Sequence, residues 1–81
     1  MKHFNFATVE GILKTDPKAT EDGVAFWIVN NPDAEILIEC KGRLGVTANE
    51  QLKEGSRILV SGRMKGNGVV LANDINFLNK G

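Results

Sequence analysis

The 81-residue chain carries ten Lys/Arg and ten Asp/Glu, a formal net charge of zero. With 42% hydrophobic and 25% charged residues it has the make-up of a folded globular protein, which excludes a disordered chain; its length holds a single domain, 1–81. Neutrality excludes a strongly basic module that binds nucleic acid mainly by counterion release, and the lone Cys40 excludes an internal disulfide.

Five apolar runs alternate with turn signals. Asn5 to Leu13 reads as a first strand, with Ala7, Val9 and Leu13 on one face and Phe4, Phe6 and Thr8 on the other. Gly11 inside it marks a bulge or sharp bend, and Thr15-Asp16-Pro17 closes it. After the turn Glu21-Asp22-Gly23 comes a second strand, Val24 to Val29, rich in β-branched and aromatic residues. Asn30-Asn31-Pro32-Asp33 is a further turn. Glu35 to Lys41 is a third strand, with Ile36, Ile38 and Cys40 facing one way and Glu35, Leu37, Glu39 and Lys41 the other.

Leu44 to Leu52 is the one helical candidate. Leu44, Ala48 and Leu52 form a narrow apolar stripe. Thr47 with Glu50 has capping-box spacing, and Gly55 is a suitable stop. Arg57 to Met64 is a fourth strand, Lys65-Gly66-Asn67-Gly68 a tight hairpin turn, and Val69 to Phe77 a fifth strand. Three strands, a helix and two strands is the order of the OB-fold. The expected fold is therefore all-β: a five-stranded OB-fold barrel with one short helix between strands three and four.

The zero net charge is unevenly spread. Residues 1–40 hold three bases and seven acids, whereas residues 41–81 hold seven bases and three acids. An anionic partner is therefore expected on the second half.

Several motifs share one order and spacing. They are Asn5-x-Ala7-x-Val9-x-Gly11-x-Leu13, Asp16-Pro17, Val24-Ala25-Phe26-Trp27, Gly42-Arg43-Leu44-Gly45, Leu52-Lys53-Glu54-Gly55-Ser56, Ile58-x-Val60-x-Gly62-Arg63-Met64 and Asn73-Asp74-Ile75-Asn76-Phe77-Leu78. Together they resemble the bacterial single-stranded-DNA-binding protein family, which includes the related primosomal protein n. The resemblance implies a homo-oligomer, dimer or tetramer, that binds single strands by aromatic stacking on a basic groove. It also implies an inward Trp27, which would turn Val24, Phe26 and Ile28 outward.

The usual stacking positions differ here: Glu35 and Lys41 stand where the family commonly carries aromatic residues, and both long loops are short. The substitute site expected is Phe26 flanked by Lys41, Arg57, Arg63 and Lys65, with Glu35 and Glu39 opposing phosphate. An oligomer contact is expected at Phe4, Phe6, Ile28 and Leu37, and Phe77 is expected to close the core.

The sequence thus points to a non-catalytic, weak and salt-sensitive single-stranded DNA (or RNA) binding protein of the cytoplasm. The alternative is an assembly or accessory protein that kept the barrel and lost the ligand. His3 has no partner at ligand spacing, so no metal is expected; no nucleophile pair or phosphate loop calls for a cofactor or an enzyme activity. Neither a membrane-length apolar run nor a signal-peptide core is present in the sequence.

Overall fold

The computed structural model of the protein describes residues 6–31, 34–66 and 68–78. Its elements are β1 (Phe6–Leu13), β2 (Lys18–Ala19), β3 (Gly23–Asn31), β4 (Ala34–Lys41), α1 (Gly42–Gln51), β5 (Arg57–Gly66) and β6 (Val69–Phe77). The sheet order is β1-β5-β6-β4-β3-β2, and β1 also pairs with β3 at Ile12–Val29 and Leu13–Ile28. That last pairing closes five strands into a barrel, with β2 as a two-residue extension on β3. All neighbouring pairs are antiparallel except β4–β6. With its helix between β4 and β5, the barrel has the architecture of an OB-fold.

One core fills the barrel. Its largest wholly buried side chains are Phe26, Leu13, Ile28, Ile38, Ile58, Val60, Val70 and Cys40. The alternation read in β1 and β4 holds, β5 buries Ile58, Val60 and Gly62, and β6 matches its expected span of Val69 to Phe77. In β6 a register slip opposite Ser61 and Gly62 makes Asn73 an extra residue, so Ala72 and Ile75, three apart, both point inward. Phe77 lies beyond that core and is 43% exposed, against the expectation that it seals the barrel.

The decisive correction concerns β3. Phe26 and Ile28 are 1% and 0% exposed, whereas Trp27 is 41% exposed. Cross-strand pairing fixes this parity: Val24, Phe26 and Ile28 stand directly opposite Cys40, Ile38 and Ile36. Two purely apolar triads thus share the inner face. The reverse parity would strand them in water and bury an indole N–H that needs a partner.

Local signals at the helix also resolve differently. α1 begins at Gly42, straight from β4, with Lys41 as N-cap and no side-chain cap bond. Gly42 takes φ +60, which an L side chain resists, and its N–H donates to the carbonyl of Asp22 at 3.3 Å. Thr47 therefore lies inside the helix and caps nothing. The helix stops at Gln51, ahead of Gly55, and Ser56 N–H closes a separate turn onto the carbonyl of Lys53. At Gly11 the β1–β5 register runs without a slip. A Cβ there would meet the Val29 carbonyl at 2.9 Å, so the glycine serves the close approach of β1 to β3.

The β3 parity makes a direct prediction. Phe26→Ala is expected to destabilise the fold by about 3–5 kcal/mol. Trp27→Ala is expected to cost no more than about 1 kcal/mol, as at a surface position. Urea denaturation of the two variants checks this.

Candidate nucleic-acid interface

The parity that buries Phe26 raises a different set of side chains to the outer surface. On β3 these are Ala25, Trp27 and Val29, and on β4 they are Glu35, Leu37, Glu39 and Lys41. Trp27 stands directly opposite Leu37, and Leu37 is paired in turn with Val69 of β6. Cross-strand neighbours on one face lie about 5 Å apart, so these three form a continuous apolar shelf.

Beside the shelf runs a row that crosses every strand. Lys18 pairs with Ala25, Ala25 with Glu39, Glu39 with Leu71, Leu71 with Arg63, and Arg63 with Phe6. At about 4.8 Å per strand step, Lys18 and Arg63 are about 19 Å apart along the surface. Ala25 is the smallest member of the row, and above it opens a cleft of about 290 Å³ lined by Thr15, Lys18, Ala25, Phe26, Trp27 and Leu37.

The expected basic site is thus partly dismantled. Phe26 is in the core and cannot stack on a base; Trp27 takes the outer face of β3 in its place. Lys41, Arg57 and Lys65 are all on the surface, but each is tied to a carboxylate. Lys41 Nζ lies 3.5 Å from Asp22, Arg57 Nη2 2.7 Å from Glu10, and Lys65 Nζ 2.8 Å from Glu39. Lys14 is held likewise by Glu35 at 2.6 Å. Exposed pairs of this kind contribute little to stability. Their consequence is electrostatic, since each cancels a cation that would otherwise attract phosphate.

Arg63 is the one predicted base that makes no ion pair among the described residues, and Lys18 shares that freedom. Lys18 was missed because it lies in the acidic half of the sequence, before β2 is apparent. The expected oligomer contact also divides. Ile28 is wholly buried and cannot meet a second subunit. Leu37 belongs to the shelf beside Trp27. Phe6 is 62% exposed at the start of β1, and Phe4 lies outside the described residues.

A second groove, of about 350 Å³, lies between the β2–β3 turn and α1, with Gly23, Val24, Gly45 and Val46 among its lining residues. Its polar rim carries Asp22, Asn49 and Glu50, which disfavours an anion. Among the described residues no group of three His, Cys, Asp or Glu side chains comes together as metal ligands would, and no helix is long and apolar enough to cross a membrane.

No family model matches the chain, and no curated protein matches its sequence.

Cys40 is wholly buried, and desolvation pushes its thiol from an ordinary 9.0 up to about 11. Between those values the unfolded chain has released a proton that the folded chain keeps. Stability is therefore expected to fall as pH rises from about 9 to 11, with no contribution from this thiol below 9. A thiol reagent at neutral pH is expected to leave the native protein unlabelled and to modify Cys40 only after unfolding.

Proposed function

We propose that the protein is a non-catalytic single-stranded nucleic-acid binding protein, with DNA as its ligand, working as a homo-oligomer. The observation that carries the reading is Trp27: a half-exposed indole on the outer face of β3–β4, beside a cleft and between two unpaired cations. The corresponding face, strands two and three of an OB barrel, is where this fold binds oligonucleotides. An exposed indole suits every base because each has a π-face. Lys18 and Arg63 supply phosphate contacts on either side, and the neutralised Lys41, Arg57 and Lys65 keep the grip weak and salt-sensitive.

Weak single sites gain from repetition along one strand, which is the advantage of an oligomer here. Phe6, exposed at the edge of the row, supports a self-contact there.

Trp27 is the only tryptophan, so its fluorescence reports on the site alone. Oligothymidine at low salt is expected to quench it, and no binding at low salt would refute the reading. Measured by anisotropy of a labelled oligonucleotide, Trp27→Ala is expected to weaken binding by about 1–3 kcal/mol. Lys18→Ala and Arg63→Ala are each expected to flatten the salt dependence by about one ion. Phe6→Glu is expected to lower the mass seen by light scattering while leaving the barrel folded.

A further inference from the structure

We propose that the groove between α1 and the β2–β3 turn docks an extended peptide segment of a partner protein, one that carries an apolar side chain between two basic ones. The inference does not rest on the single-strand reading above. The groove has no lining residue in common with the cleft beside Trp27. Neighbouring residues of β2 divide between the two: Lys18 lines the cleft and Ala19 the groove, as alternation along a strand directs.

One wall is a face of α1. Gly42, Gly45, Val46, Asn49 and Glu50 all line the groove, and steps of three, four, seven and eight residues from Gly42 put them on one side of a helix. The stripe of Leu44, Ala48 and Leu52 that packs on the core lies on a different side. At Gly45 a Cβ would lie 2.7 Å from the Cys40 carbonyl and 3.2 Å from the Gly23 Cα. α1 therefore meets the start of β3 backbone to backbone, and Gly23 and Gly45 put no side chain into the groove. Val46 stands beside them, 57% exposed. A β-branched apolar residue favours an exposed helix position less than Lys, Glu or Ala would, so helix propensity does not account for it. With Ala19 and Val24 on the facing wall, it makes an apolar seat in a groove of about 350 Å³.

The charged residues lining the groove are Asp22 and Glu50, both acidic. Asp22 is fixed at the start of α1, where its carbonyl accepts the Gly42 N–H at 3.3 Å. Its carboxylate has one long contact, 3.5 Å to Lys41, between two exposed side chains. Glu50 lies eight residues on from Gly42, about 12 Å along the helix axis. It makes no ion pair among the described residues, and the negative end of the helix lies beside it.

That separation selects the shape of the partner. An extended peptide rises about 3.3 Å per residue, so residues i and i+4 stand about 13 Å apart and share one face with residue i+2. A basic-x-apolar-x-basic segment therefore sets its two cations on Asp22 and Glu50 and its apolar side chain against Val46. The exposed Asn49 amide, beside that seat, has both a donor and an acceptor for the peptide main chain.

The probe is an acetylated and amidated lysine-serine-leucine-serine-lysine peptide, titrated into the isotope-labelled protein. The amides of Gly23, Gly45, Val46 and Asn49 are expected to shift and to saturate. The same peptide with glutamate for lysine, or with serine for leucine, is expected to leave them still. Val46→Gln keeps a good helix former at an exposed site and is expected to abolish the saturable shifts while the rest of the spectrum holds. Glu50→Gln is expected to weaken binding about two- to fivefold, the loss of one exposed ion pair. Absence of saturable shifts with the lysine peptide, equal shifts with the glutamate peptide, or binding that survives Val46→Gln would overturn the proposal. So would shifts of Gly45 and Val46 that follow protein concentration without peptide, which would assign the groove to a second copy. The titration contains no nucleic acid, so its failure leaves the single-strand reading standing.

Discussion

The pairing of two apolar triads, Val24-Phe26-Ile28 on β3 and Ile36-Ile38-Cys40 on β4, is the contact on which the outer face depends. Strand side chains alternate with period two, so seating these triads in the core leaves no choice for their neighbours. Trp27 must face out, Leu37 must stand opposite it, and Glu35 and Glu39 must flank Leu37. The residues offered to a ligand follow from burying six others.

The same constraint shapes the electrostatics. Because β4 turns its acidic residues outward, carboxylates meet the bases of neighbouring elements: Glu39 reaches Lys65 and Glu35 reaches Lys14. Lys41–Asp22, Arg57–Glu10 and Lys65–Glu39 each join a base of the second half to an acid of the first, so the two oppositely charged halves of the sequence meet in the fold. Along the row that crosses the barrel, Lys18 and Arg63 make no ion pair among the described residues. The outer face of β3 and β4 is therefore apolar at its shelf and balanced along β4, with Lys18 and Arg63 as cations along the row beside it. Such a face suits a flexible single strand that brings its own stacking energy, and suits poorly a ligand gripped by charge alone.

Much of the fold is legible in the sequence because its strands alternate cleanly. Ala7-x-Val9, Ile36-x-Ile38-x-Cys40 and Ile58-x-Val60-x-Gly62 each announce an inner face, and Val69 to Phe77 announces a strand between its turns. The candidate site is less legible, for a physical reason. In Val24-Ala25-Phe26-Trp27-Ile28-Val29 both parities are apolar, so the run alone does not say which face is buried. Resemblance to another family's inward Phe favours Trp27. The matching triad on β4 carries the opposite answer, and reading the two strands as a pair would have found it. Side-chain capping was misleading at α1 because tertiary packing of Gly45 and Ala48 on β3 and β4, with Gly42 at the turn, starts the helix five residues before Thr47. Ion pairing of Lys41, Arg57 and Lys65 was invisible because each partner is distant in sequence or set by strand order.

Titration of the isotope-labelled protein with oligothymidine, followed in amide and indole NMR spectra, tests the central claim most directly. The account predicts that the Trp27 indole N–H moves most, together with amides of Lys18, Ala25, Leu37, Glu39, Arg63 and Leu71, while α1 and the core positions stay still. An unmoved indole, with shifts gathered at α1 or along the inward face of β1, would contradict it.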